Sequence, residues 1–483
     1  MRNFYKLILV LIFAIALHIK AVSAQEQAPW PAPARISSSA GEASEAFLVA
    51  DQYGNLHVFW VEILGDERSV IEYSRFNGVT WTSPIDIHIS RPFVPIGNVS
   101  PAVYQDMLYI MWTEGQNGPV FYMYAPAHNA LSTQYWQPRQ RINIPATHVE
   151  LQIDSQGTFH VLYTQGLEAG PGIYYVRSRD QGENWTEPLW IDPDIPRNFI
   201  PSWYRFVLDE DGGLHAVWCY LAADGSSGDW VRYVHSVDGG ETWSSPFTID
   251  KVGNDPDKQL DAAYPVMAVQ GKNVHVIWAG GKLHYRNHRY SEDGGQTWSR
   301  PMRVFGDLNG QAGDGMVVDG AGRIHYFSQI RFPQGVYHAV WDGDHWTTPS
   351  LVYLISYGSG DSIGDHIHAH RTFPAVRAGN QLILTITDPP PEPGRRLFYT
   401  QITLDDIPSA TLAPTPTPTA MPTPQADATP VPVGTSSAPI VNLDLSLPTD
   451  ISRPGTTLWI GLLPFLIMLL GIILLRVLFK LRS

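Results

Sequence analysis

Three polar segments hold the residues of this chain best suited to chemistry. One runs from Ile191 through Asp192, Asp194 and Arg197 to Arg205. A second, 254–264, contains Asp261 and Tyr264. The third, 361–371, packs Asp365, His366, His368, His370 and Arg371 together. A guanidinium offers a planar fork of donors that matches a carboxylate, and such groups stand in the first segment (Arg197, Arg205) and the third (Arg371). The alternating histidines would share one face of an extended segment. Imidazoles so spaced can bind zinc, but loop histidines with local hydrogen bonds are the favoured reading, and we assign neither a metal nor a cofactor. Asp209-Glu-Asp211-Gly-Gly213 has a calcium-loop composition, but a turn between strands explains it.

What must position these segments is visible in a repeat. Ser178-Arg-Asp180-Gln-Gly182-Glu-Asn-Trp185, Ser236-Val-Asp238-Gly-Gly240-Glu-Thr-Trp243 and Ser291-Glu-Asp293-Gly-Gly295-Gln-Thr-Trp298 share the pattern Ser-x-Asp-x-Gly-x-x-Trp. Degenerate copies end at Trp81 and Trp346. The Asp side chain can accept from a backbone N–H two residues on. The Gly supplies positive φ, and the Trp returns a large ring to an apolar surface. The motif is a self-capped hairpin tip.

Upstream of each tip lies a β-branched or aromatic run, as in His57-Val-Phe-Trp60, His160-Val-Leu-Tyr163 and His215-Ala-Val-Trp218. Flanking runs complete four short strands per unit, the pattern of a propeller blade. Seven units are countable. The seventh lacks its outer strand, and Trp30-Pro-Ala-Pro33-Ala-Arg-Ile36 mimics Trp81-Thr-Ser-Pro84-Ile-Asp-Ile87. The N-terminal segment is therefore expected to complete the last blade and remove an open edge. His57, His160, His215, His275 and His325 share one strand position, which points to a structural role in inter-blade hydrogen bonding. The one cysteine, Cys219, excludes an intramolecular disulfide and reads as a buried apolar residue.

The repeat resembles the Asp-box, or bacterial neuraminidase repeat, of the sialidase-like β-propellers, over residues 30–404. The resemblance implies an all-β propeller, with the boxes as folding elements away from the active centre. It also implies that a sialidase would need three arginines on the sugar carboxylate, a Tyr nucleophile with a Glu partner, and an Asp acid–base. Arg197, Arg205 and Arg371 could fill the first role; Tyr264, Glu114 and Asp261 could fill the others. Sialidases have six blades rather than seven, and the family's Arg-Ile-Pro signature is absent, Arg35-Ile36-Ser37 being the nearest approach.

The chain ends suggest a compartment. Residues 1–24 read as a secretory signal, with Arg2 and Lys6 before an apolar run. The propeller is assigned to 25–404, and a Pro/Thr-rich stalk to 405–456. The apolar stretch 457–479 is long enough to span a bilayer as a helix, and the basic tail 480–483 would stay cytoplasmic. The net charge of −14 argues against nucleic acid as a partner. Sequons at Asn98 and Asn184 are weak signals. The expectation is a membrane-anchored, outward-facing propeller that binds glycans or other surface ligands. An exo-sialidase-type glycoside hydrolase and a protein-interaction scaffold are the alternatives.

Overall fold

A computed structural model describes residues 30–414, apart from 39–40, 167–169, 196–198, 223–227, 252–261, 282, 311–312, 332, 355–372 and 389–395. Its described residues form seven antiparallel four-stranded sheets. Blade 1 is typical: Glu42–Ala50 is innermost, followed by Leu56–Ile63, Ser69–Phe76 and the outer Ile85–Ile89. The inner strands of successive blades lie side by side, and that of blade 7, Phe373–Arg377, returns to that of blade 1. Helical structure among the described residues consists of two short 3-10 turns, Ala127–Asn129 and Thr133–Tyr135. The expected helix at 457–479, the signal at 1–24 and most of the stalk lie outside the described residues.

The ring closes as the sequence suggests. Ala34–Arg35 is the outer strand of blade 7, pairing Ala34 with Tyr399 and Arg35 with Phe398. Ile36 N–H continues the ladder to Leu397 O at 2.8 Å. Trp30, only 6% exposed, packs edge-on against His338 of blade 6 at 5.7 Å between centroids. Burying a ring of this size contributes on the order of 3 kcal/mol.

The Trp30 contact is one member of a series. In six of the seven blades an aromatic on the third strand meets a tryptophan of the next blade. Tyr73 meets Trp136, Tyr175 meets Trp243, Tyr233 meets Trp298, His288 meets Trp346, His338 meets Trp30 and Tyr399 meets Trp81, all at 4.9–6.2 Å. Blade 2 has no Asp-box, and its two 3-10 turns deliver Trp136 instead. The box tryptophans Trp185, Trp243 and Trp298 are half-buried.

Within a box the geometry differs in one respect from expectation. Asp180 accepts from the N–H four residues on, Asn184, at 2.8 Å, and the same span recurs from Asp238 to Thr242 and from Asp293 to Thr297. A two-residue span leaves room for a tight turn only; the longer loop brings in Ser178, whose Oγ donates to Asp180 and accepts from Gly182 N. Bonds from Asn184 and Ser178 hold the exposed Asp180 carboxyl down at about 2.

The repeated histidines bond within their own blade, not between blades as expected. Neutral His57 accepts the Tyr73 hydroxyl on Nδ1 (2.7 Å), and its Nε2 faces Asp51 at 3.2 Å. His160 does the same with Tyr175 and Asp154, and His215 with Tyr233 and Asp209. The contact with the next blade is made by the Tyr that each His fixes. Asp209 thus caps its own turn, accepting also from Asp211 N and Gly213 N. Cys219 is fully buried.

The chain stays packed past residue 404. Asp406 takes a two-pronged bond from Arg323 (2.6 and 3.2 Å), and Ile407 is 5% exposed. Ala410 N–H donates to Ala378 O, and Ala413 N–H donates to Gln52 O. Residues 405–414, given to the stalk by composition, form a strap over the inner turns of blades 6, 7 and 1. Backbone bonds to those turns hold it there, which composition alone does not show.

Candidate functional site at the axial mouth

Strand direction fixes which end of the axis is built for recognition. Every inner strand starts at the face that carries the connections between blades and between second and third strands. The Asp-boxes join third to fourth strands, so they occupy the opposite face.

Four inner strands carry a one-residue bulge just inside this face. The register slips between Ala43 and Ala46, Ile96 and Val99, Ser202 and Arg205, and Ala263 and Val266. A bulge bends a strand and re-aims its side chains. In blades 4 and 5 the extra residues include Trp203 (φ 47°) and Tyr264 (φ 55°), both in the left-handed region. Non-glycine residues there cost on the order of 1 kcal/mol or more and persist where the surroundings hold them. Their rings meet edge to face, 4.7 Å apart.

A cavity of about 390 Å³ opens beside these bulges. Phe47, Asn98, His148, Glu150, Trp203 and Tyr204 are among its walls, drawn from blades 1 to 4. Asn98 is not a free sequon: its side-chain amide bonds both polar groups of Val149, at 2.5 and 3.0 Å. Glu150 receives Arg205 Nη1 at 3.3 Å on one oxygen and Phe206 N–H at 2.6 Å on the other. The Arg205 guanidinium also stands over Phe373 of blade 7, 5.3 Å from its centroid, and Phe373 packs on Phe47 at 4.6 Å. His148 and Tyr204 lie ring against ring, 6.5 Å apart. The mouth is an aromatic and amide surface with one internal ion pair, the composition of a small-ligand site.

Of the residues singled out in the sequence, Arg205 and Tyr264 stand behind the cavity wall, each against a lining residue, Glu150 and Trp203 respectively. Glu114 does not line it. It accepts from His88 (2.7 Å), Trp112 (3.2 Å) and Arg139 (2.5 Å) between blades 1 and 2. Burial pushes its carboxyl up, but those three donors outweigh burial and hold it below the ordinary range. Arg197, Asp261, Arg371 and the histidines His366, His368 and His370 lie outside the described residues. Among the described residues no group of His, Cys, Asp or Glu is placed to hold a metal. Trp203 and Tyr204 escaped sequence reading because a bulge has no residue signature, and His148 and Glu150 because only the packing of neighbouring blades brings them to the cavity. The available signal was aromatic enrichment in Trp203-Tyr204, directly before Arg205.

Residues 289–300 match the model of the BNR/Asp-box repeat, and this segment contains the third box. The fold is a seven-bladed β-propeller that carries a BNR/Asp-box repeat. Solved structures share this propeller at low identity. The polysaccharide lyase Uly1 superposes with a TM-score of 0.52 at 11% identity, covering 79% of this chain and 93% of its own. A protein of unknown function from Dyadobacter fermentans gives 0.47 at 14%, covering 77% and 100%. The NanB sialidase of Streptococcus pneumoniae gives 0.43 at 11%, covering 80% and 72%. No curated protein matches the chain in sequence. At 11% identity the likeness to Uly1 concerns the fold alone.

Proposed function

We propose that this propeller binds carbohydrate at the axial mouth, and does so outside a membrane to which residues 457–479 tether it. One observation carries the ligand class: Trp203 and Tyr204 flank a cavity whose polar side chains include Glu150, His148 and Asn98. Pyranose rings present an apolar C–H face and a rim of hydroxyls. An aromatic wall beside fixed acceptors and amides complements both. A polysaccharide lyase on the same fold is consistent with this class. The tether rests on the signal-like 1–24, the Pro/Thr-rich stalk and the apolar 457–479.

Hydrolysis of the sialidase type is the second reading, favoured by the presence of Arg205 and Tyr264 behind one cavity wall. It is weakened because Arg205 is already matched by Glu150 and because Glu114 stands elsewhere. A glycan array probed with the full-length chain tests the first reading, and a fluorogenic sialoside tests the second. Binding without turnover, lost in Trp203→Ala, is the expected result. Absence of any glycan binding by a folded chain overturns the proposal.

A further inference from the structure

We propose that Phe93 is a second sugar contact, so that the mouth takes an extended glycan chain leaving the cavity over blade 1 rather than a single terminal sugar. The inference rests on the carbohydrate reading above. Phe93 lies in the connection between blades 1 and 2, is 81% exposed and has a φ of 62°. The fold accounts for neither property. An exposed phenyl ring gains no burial, and left-handed backbone is strained for any residue with a Cβ. Strain of this kind gathers at functional sites and persists where the surroundings hold it. Here they do. Ser90 N–H donates to Ser69 O at 2.8 Å, and Ser69 N–H returns a bond to Ser90 Oγ at 2.9 Å. Phe93 N–H donates to Glu67 O at 3.0 Å, and Gly115 N–H of blade 2 donates to Pro95 O at 2.8 Å. Pro92 and Pro95 stiffen the same loop. A loop held this way has little freedom left to lose on binding, which favours affinity.

Position supplies the ligand. Both segments that meet at the Glu67–Phe93 bond run from the cavity wall, one from Ile63 and the other from Ile96. Ile63 pairs with Ser69, and Ser69 is bonded to Ser90, so the row from the cavity to the Phe93 loop crosses two strand spacings, about 10 Å. That span exceeds one pyranose ring. A ligand seated against Trp203 therefore reaches Phe93 only by carrying further sugar units, whose C–H faces suit an exposed phenyl ring. Size argues against a second copy of this chain as the occupant. One phenyl ring covers roughly 200 Å², against about 800 Å² per partner in a stable interface, and its exposed neighbours are Arg91, Pro92 and Pro95.

The test titrates the full-length chain with oligosaccharide ladders, monosaccharide to hexasaccharide, prepared from a xylan, a mannan, a β-glucan and a polygalacturonate. For a ladder that binds, affinity is expected to rise with length. Phe93→Ala is expected to remove that rise, roughly tenfold for the longest member, the scale of half-burying a phenyl ring. The shortest member that binds is expected to hold both forms equally, whereas Trp203→Ala loses every length. Phe93→Trp is expected to keep the gain. Phe93→Gly is expected to lose it while the thermal midpoint holds or rises, because glycine relieves the strain; this separates lost contact from lost fold. Equal affinity of Phe93→Ala and the parent at every length overturns the inference and leaves the carbohydrate reading standing. Binding to no ladder sinks both. A Phe93-dependent dimer in sedimentation velocity, or Phe93-dependent capture by phosphatidylcholine vesicles, overturns the assigned occupant.

Discussion

The hydroxyl of Tyr175, on the third strand of blade 3, lies against the backbone of Gly240 in the Asp-box of blade 4, leaving no room for a side chain there. Gly240 has φ 78°, and Gly182 and Gly295 stand in the same relation to Tyr122 and Tyr233. The box glycine is thus both a turn residue and an inter-blade contact. Gly240→Ala is expected to cost about 2–4 kcal/mol, combining left-handed strain with overpacking. Its neighbour Gly239 (φ 67°) faces open space, so Gly239→Ala is expected to cost only about 1 kcal/mol. Denaturant midpoints of the two variants check the difference.

Blade 5 predicts acid sensitivity. His275 Nδ1 and His288 Nε2 are 3.0 Å apart, and Trp346 Nε1–H donates to His288 Nδ1 at 3.1 Å. This chain of bonds needs both imidazoles neutral. Burial pushes His275 down to about 4, and burial followed by repulsion from His275 pushes His288 well below its usual value. The folded values lie below the unfolded value near 6.5, so the unfolded chain takes up protons first and stability falls as pH drops. For His275 the loss runs from about pH 6.5 to about pH 4 and totals on the order of 3 kcal/mol. Unfolding free energies measured across this window check it; a flat profile contradicts it.

Ring closure depends on the N-terminal segment. Trp30→Ala removes a buried ring and is expected to cost about 3–5 kcal/mol. Deleting residues 30–37 goes further, exposing the ladder of Arg396–Thr403, the third strand of blade 7. An open strand edge invites pairing with other chains. Light scattering should report aggregation of the deletion but not of the parent.

The strap supports the same seam from the other side. Ile407→Ala is expected to cost about 2–4 kcal/mol as a buried truncation. If 405–414 were an uncoupled part of the stalk, the substitution would leave the thermal midpoint unchanged.

The wheel was legible in the sequence because its determinants are local and repeated. Ser, Asp, Gly and Trp at fixed spacing make each tip, and Trp30 announces itself by imitating Trp81. The His-to-Tyr bonds were misassigned because strand pairing sets that partnership: Tyr175 lies fifteen residues from His160 but beside it across the ladder. The mouth was legible only in part. Arg205 and Tyr264 stood out as charged or phenolic residues at strand starts. Trp203 lay unremarked within the polar segment 191–205, and neighbouring blades bring it to one cavity with His148 and Glu150. Glu114 looked similar to Arg205 in sequence, yet the pleat turns it toward His88 and Arg139.

The most direct test of carbohydrate recognition at the axial mouth is diffraction from crystals of this protein soaked with whichever oligosaccharide binds on the glycan array. We predict sugar density in the cavity between Glu150 and Trp203, with a pyranose face against the Trp203 ring. Density confined to the Asp-box face, or to the outer strands, would contradict the account.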